Sequence, residues 1–579
     1  MPEFTVAENL NDVALGLSSG LNDLLVLDIG GNRILYALNR AENKLLQLTV
    51  SGLGQLSLSD TLQFSGTIPA GTEARLAHGL FAGGGNFLTL SGLADQYVSL
   101  ASNGAFGLQA LMPNVGTLEQ VVTLSLAGTP VILAAAPSGG LNFFADAGSG
   151  YIAGNGLSDS GDAYLADVSA AVGFVDNGIS YVATTSATEH GVNLVSVSQS
   201  GLVQASALGA ANGLPVGAPS DIAALTQFDQ TWVLVASNDT SSVSALKVQD
   251  GALALADHIY DGVQTRFQGA SQVAAVTHGD FAFAVVGGAE GGVSLLTMLP
   301  SGRLVHLDSM AEDETVFLDQ ISDLELYIVG NSLNVVAASS NETGLTRVEY
   351  DLGQLGQVIQ AANNGQGATG TQFDDQIIGS VAAEALAGSS GADILLDGQG
   401  VDTLTGGEGA DLFVLTADGQ TDNITDFETG VDRLDLSGFD FLYDVSQLSV
   451  SLTATGATVS FGGETLNITT SDLSPLNSSM LTTEDILNID RPPFLLIGRE
   501  IVGTSLGDVL NGGIGDDTIS GIGGDDSLVG ASGNDVLSGN QGNDTVSGDG
   551  ADDSVYGGAG DDLLFGGDGN DLIYGDDWA

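Results

Sequence analysis

The residues with the clearest chemistry are aspartates set nine apart near the end of the chain: Asp508, Asp517, Asp526, Asp535, Asp544, Asp553, Asp562 and Asp571. Glycines precede them in pairs and singles, among them Gly513, Gly515, Gly558, Gly560, Gly567 and Gly569. Carboxylates and turn carbonyls are hard oxygen donors, and Ca²⁺ accepts six to eight of them with loose geometry. The same rhythm occurs earlier at Asp393, Asp402 and Asp411. Asp375 and Glu384 keep that register, but Phe373 and Ala382 stand where a turn glycine is expected, so these two turns are not counted as sites. The chemistry expected is the binding of several calcium ions.

Such a pattern needs a scaffold that stacks its turns. Gly reaches positive φ freely and Asp tolerates turn geometry, so six residues make a turn. An apolar residue follows each aspartate by two: Leu510, Ile519, Leu528, Leu537, Val546, Val555, Leu564 and Ile573. Flanked by outward residues, it makes a three-residue strand with one inward side chain. Two nine-residue units complete a coil of a parallel roll, which sorts the aspartates into two columns, one from Asp508 and one from Asp517. Column neighbours lie about one strand spacing apart, ~4.8 Å, and repel by roughly 0.9 kcal/mol even in water. Six such pairs sum to about 5 kcal/mol, on the scale of a small domain's whole stability. Metal binding is then expected to supply folding energy. The pattern resembles the G-G-x-G-x-D-x-U-x nonapeptide of RTX proteins. That resemblance implies a calcium-loaded β-roll and export by type I secretion, with folding on meeting calcium outside the cell.

Composition agrees with such a setting. The chain has 579 residues, with 72 Asp and Glu against 11 Lys and Arg, for a net charge of −61. A polyanion of this kind does not attract nucleic acid or an anionic membrane. No cysteine is present, which rules out disulfides and thiolate chemistry. Met1-Pro2-Glu3-Phe4 opens no Sec-type signal, and the apolar runs are broken too often to span a bilayer. RTX proteins usually continue past their repeats, whereas the sequence ends at Asp576-Asp577-Trp578-Ala579. The secretion signal is therefore expected to be compact or trimmed.

The first part of the chain carries a longer period. Turns ending in Gly52, Gly104, Gly150, Gly201, Gly251, Gly302 and Gly353 recur every 46 to 52 residues. Short alternating apolar runs lie between them, such as 192–197 and 243–248. Four strands per unit and seven units give a β-propeller. The unit resembles blades of lactonase-like or YVTN-type propellers. Asp23, Glu73, Gln120, Asp167, Asp221, Gln272 and Asp323 open the innermost strands and would ring one mouth of the channel. Such a ring could hold a cation, but in so acidic a chain strand-entry residues facing solvent are the simpler expectation. The histidines His78, His190, His258, His278 and His306 are scattered. HExxH is absent, and no G-x-S-x-G elbow stands in a plausible context.

Between the two regions, Asp422-Asn423-Ile424-Thr425-Asp426-Phe427, Gly430-Val431-Asp432 and Leu434-Asp435-Leu436-Ser437 resemble the segment that follows the roll in serralysin-type C-terminal domains. This implies a β cap, with strands near 448–452, 457–461 and 465–468. Pro492-Pro493 marks a linker. The expectation is an all-β chain: a seven-bladed β-propeller over 1–362, an RTX β-roll with its cap over 363–490, a linker over 491–502 and a second roll over 503–579. The function expected is an extracellular or cell-surface calcium-binding protein whose propeller binds another extracellular protein or a surface glycan. Calcium-bridged self-association is a further expectation. The competing reading is a secreted lactonase-like hydrolase with a metal at the acidic mouth.

Overall fold

The computed structural model describes residues 3–64, 75–80, 85–90, 96–111, 119–136, 139–147, 151–159, 163–209, 213–312, 316–439, 441–489, 491, 500–514, 517–532, 534–550, 553–568 and 570–576. Among them the chain is nearly all β. Residues 1–207 and 216–492 form one compact unit; a second contains 493–579 with the short segment 208–215.

Alternating apolar runs closed by glycine or asparagine turns make antiparallel sheets, and seven of these are four-stranded blades. The first blade runs Asp23–Ile29, Asn32–Asn39, Lys44–Val50 and Leu56–Gln63. The last has three strands from its own segment, Ile321–Val329, Ser332–Ser339 and Gly344–Asp351, and takes its outer strand from the start of the chain, Thr5–Asn11. This closure was not foreseen: the glycine period suggested a turn at Gly353 leading to a local fourth strand. Antiparallel pairing of Thr5–Asn11 with Gly344–Asp351 joins the ring's two ends.

A second period holds the blades together. Ser169, Ser220, Ser271 and Ser322 recur at the entry of four successive inner strands. Each hydroxyl donates to a main-chain carbonyl of the following blade: Pro219 at 2.6 Å, Ala270 at 2.8 Å, Ile321 at 3.0 Å and Leu21 at 2.8 Å.

The first roll begins earlier than the boundary at 362. Leu355–Gln360 already pairs in parallel with Asp374–Ile378, and Ile394–Leu396, Leu412–Val414 and Arg433–Asp435 extend that sheet. The opposite sheet contains Ala385–Ser390, Thr403–Glu408 and Thr421–Phe427, continued by Glu464–Thr470, Gly456–Phe461 and Ser449–Thr453. The last three are the expected cap. The inward residues Ile377, Leu395, Phe413, Leu404, Ile424, Leu466 and Ile468 share one core.

The roll and the propeller are packed on each other. Ile378, Ile394, Leu396, Leu412 and Val414 on the roll form a cluster with Leu299 and Val305 of the sixth blade. This explains why Ile394–Leu396 and Leu412–Val414 are buried on both faces.

In the second roll, the parallel sheets are Glu500–Val502, Thr518–Ser520, Val536–Gln541, Ser554–Ala559 and Leu572–Asp576 on one side, and Val509–Ile514, Ser527–Ser532, Thr545–Gly550 and Leu563–Asp568 on the other. Glu500–Val502, assigned to a linker from sequence, is thus a strand of the roll. Pro492-Pro493 lies outside the described residues. Ile519, Leu528, Leu537, Val546 and Val555 fill the interior.

Candidate metal centre

Stacking at 18-residue offsets brings the aspartates of each column together. Each main-chain N–H at the acid position donates to Oδ1 of the next carboxylate in its column. In the second roll these bonds run Asp508 to Asp526 (2.8 Å), Asp517 to Asp535 (2.7 Å), Asp526 to Asp544 (2.8 Å) and Asp535 to Asp553 (2.8 Å). Asp544 to Asp562 (2.9 Å) and Asp553 to Asp571 (3.0 Å) complete the columns. In the first roll Asp375 donates to Asp393 (2.7 Å), Glu384 to Asp402 (2.7 Å) and Asp393 to Asp411 (2.9 Å). Sequence reasoning set the columns correctly but missed this ladder, which orients each accepting carboxylate and offsets part of the repulsion.

The other oxygen decides what the turns can hold. Oδ2 of Asp393, Asp402, Asp411, Asp526, Asp544 and Asp562 is buried without a hydrogen-bond partner. A buried carboxylate oxygen left unmatched is costly, and a cation is its natural complement. Burial raises the pKa of Asp393 to about 8, with the neighbouring Asp411 and Asp375 charges adding to the shift. Burial likewise raises Asp402 and Asp411 to about 6, where nearby carboxylates again reinforce it. Among the described residues no three acidic or imidazole side chains converge on one point. A hard ion here would combine carboxylates with main-chain carbonyls, the mixed donor set that Ca²⁺ accepts.

The glycines fit the same picture. Gly558, Gly560 and Gly567 have φ of +104°, +149° and +112°, conformations that other residues rarely adopt. Gly513 lies in the strand Val509–Ile514, whereas Gly515 and Gly569 fall outside the described residues. The site residues expected from sequence left out the glycine five places before the acid, present at every counted turn except that of Asp402, where Asp397 stands. A Cβ there would stand 2.2 Å from Oδ2 of the acid at Gly388, Gly406, Gly521 and Gly548. The first glycine of the G-G-x-G string is the signal that would have found them. Without a side chain, it leaves the space beside Oδ2 clear.

The propeller mouth does something else. Asp23 accepts the N–H of Leu76, Asp323 that of Leu24 and Asp221 that of Val273 at 2.9 Å, each on the next blade. The Arg75 guanidinium lies 3.4 Å from Asp23, 3.6 Å from Asp323 and 4.0 Å from Asp221. Asp23, Asp221 and Asp323 therefore do not form the expected solvated fringe but clasp neighbouring blades around one shared cation, Arg75. Asp167 is exposed ahead of its strand, and Ala170 holds the position equivalent to Asp221. Glu73 lies outside the described residues. The histidines remain apart: His78 meets Asn86 (2.8 Å), His258 meets Ser244 (2.8 Å) and His306 meets Ser309 (2.8 Å).

A lock between the propeller and the module that follows it, through the roll strand Arg433–Asp435 and through Arg491 beyond the cap, was also invisible in sequence. Arg491 grips Asp257 through two nitrogens at 2.9 and 3.0 Å, and Arg303 reaches Asp435 at 3.0 Å. Burial alone would raise Asp435, but Arg303 and Arg491 outweigh it and hold the carboxyl below its ordinary range.

Residues 502–537, 520–555 and 547–577 match the RTX calcium-binding nonapeptide repeat, and residues 364–483 match the Peptidase M10 serralysin C terminal. No curated protein matches the chain. Two solved chains, described as BBS1N in complex with ARL6DN soaked with mercury and with lead, align over 60% of this chain and 97% of theirs. Their identities are 11% and 12%, with TM-scores of 0.42 and 0.41. No helix among the described residues is long and apolar enough to cross a membrane. The protein is a seven-bladed β-propeller followed by two parallel β-rolls, the first in a segment that matches the serralysin C terminal and the second built of RTX calcium-binding repeats.

Proposed function

We propose that this protein acts outside the cell as a calcium-dependent binding or structural module, with the propeller as the platform that meets a partner. The observation that carries the reading is the column of buried, unmatched carboxylate oxygens at Asp526, Asp544 and Asp562. A fold with that requirement suits calcium at ~10⁻⁴–10⁻³ M, the range of extracellular modules. Export by type I secretion follows from the RTX repeats, whose chains travel unfolded and fold on release. The partner class is another extracellular protein or a surface glycan, in adhesion, a matrix or a surface layer. Calcium bridging between acidic surfaces of two copies is part of the same proposal.

The aspartate-rich mouth favours this reading over a hydrolase, because Asp23, Asp221 and Asp323 are engaged with neighbouring main-chain N–H groups and with Arg75. The test has two parts. Cells carrying a type I exporter should release the full chain to the medium, and the purified chain should bind intact cells or matrix in millimolar calcium but not in EGTA. Retention in the cytoplasm, or binding indifferent to EGTA, refutes it. Esterase and lactone assays of the wild type and of Asp221→Ala should show no calcium-dependent turnover.

A further inference from the structure

The turns of the two rolls fall into two kinds, and the difference lies four residues before the acid. At Asp393, Asp402, Asp411, Asp526, Asp544 and Asp562, where Oδ2 is unmatched, that residue is left-handed: Ser389, Gly398, Gly407, Ile522, Asn540 and Gly558 have φ between +73° and +111°. Left-handed backbone is costly for Ser and Ile, so something in these turns must favour it.

At the head of each roll the pattern reverses. Thr504 has no positive φ; its N–H donates to Asp508 Oδ2 at 2.6 Å and its hydroxyl to the same oxygen at 3.0 Å. The hydroxyl also receives the N–H of Leu506 at 3.2 Å. Thr371 encloses Asp375 in the same way, through its N–H and its hydroxyl at 3.0 Å, with the N–H of Phe373 on the hydroxyl at 3.2 Å. Ser380 repeats the motif on Glu384, N–H to Oε2 at 2.9 Å and hydroxyl to Oε1, with Ala382 on the hydroxyl at 3.2 Å. At the far end of the first roll, the N–H of Glu428 closes on Asp432 Oδ2 at 2.7 Å.

We infer that the head turns at Asp375, Glu384 and Asp508 bind no calcium, because a Thr or Ser four residues upstream supplies the donors that an ion supplies in the later turns. The head carboxylate is satisfied within its own hexapeptide, so the turn closes without metal. Its N–H then presents the first rung of the ladder: Asp508 already holds Asp526 Oδ1 at 2.8 Å. The unmatched oxygens that call for calcium begin at Asp526 and Asp393, one coil below this closed edge. Asp508, one of the eight acids in the nine-residue register, is thereby removed from the metal ligands.

The inference rests on calcium binding by the rolls, and the experiment separates the two. Calcium bound at saturation is counted by equilibrium dialysis of the full chain with radioactive calcium, for wild type, Asp508→Asn and Asp526→Asn. Asp526→Asn should lose at least one ion, whereas Asp508→Asn should keep the wild-type number and require more calcium to fold. Equal ion loss in both variants overturns the inference alone; a wild type that binds no calcium overturns it together with the calcium reading. Should Asp508→Asn fail to fold, Thr504→Val decides, since it retains the carboxylate. An unchanged ion number with a raised calcium midpoint, restored by Thr504→Ser, supports the inference, and any change in ion number refutes it.

Discussion

Chelating calcium should weaken the propeller, although the rolls hold the carboxylates. The first roll covers Leu299 and Val305 of the sixth blade, both fully buried, and Ile489, just after the cap, packs in the cluster around Trp232. If the first roll melts, these three aliphatic side chains lose their cover. At about 1.5–3 kcal/mol per fully buried side chain, the loss is ~5–9 kcal/mol as an upper estimate. The ion pairs Arg303–Asp435 and Arg491–Asp257 add little, because both members of each return to water. A loss near 5–6 kcal/mol lowers the urea midpoint by roughly 2 M if the slope is about 3 kcal/mol per M. Trp232 is buried in the fifth blade, so a Trp578→Phe chain, with one of two tryptophans removed, reports on the propeller alone. Its emission should be followed against urea in millimolar calcium and in EGTA. Coincident curves, in a sample whose circular dichroism shows the roll lost, would refute the coupling.

The second roll gives the opposite expectation: Asp535→Ala with Asp553→Ala should lower the cooperativity of calcium binding and leave the Trp232 transition where it is. Acid should substitute for metal in the first roll. Asp393 is raised to about 8 and Asp402 and Asp411 to about 6, all above the ordinary 3.8, so the metal-free roll is most stable below pH 4 and loses stability as pH rises through 6 to 8. Circular dichroism in EGTA should therefore show folded roll gained on acidification from pH 8 to 4; a flat profile contradicts the burial argument. Gly406→Ala places a Cβ 2.2 Å from Asp411 Oδ2 and should abolish calcium uptake at that turn, read as one ion fewer at saturation. Arg75→Met removes the cation between Asp23 and Asp323, both raised by burial, and should destabilise the propeller by ~3–5 kcal/mol at pH 8 and less at pH 5. Thermal melts at the two pH values decide it.

Much of the architecture was legible because it repeats. The nine-residue register fixed the columns of the rolls and their inward residues, since a parallel coil admits only one phase of its apolar positions; Ile573, on the last strand with no further coil paired to it among the described residues, is the exception and is exposed. The glycine period fixed seven blades, because each blade must present the same turn. Where a property depends on residues far apart in the chain, the register carried no trace of it. Thr5–Asn11 closes the last blade across the whole ring, and Asp435 meets Arg303 only because the roll packs on the sixth blade. The aspartate ring read as strand-entry residues facing solvent until folding placed Arg75 within reach of three of its carboxylates. Composition gave the kind of ion; the folded turns showed which acids keep an open oxygen beside a left-handed residue four places upstream and which are closed by Thr371, Ser380 or Thr504.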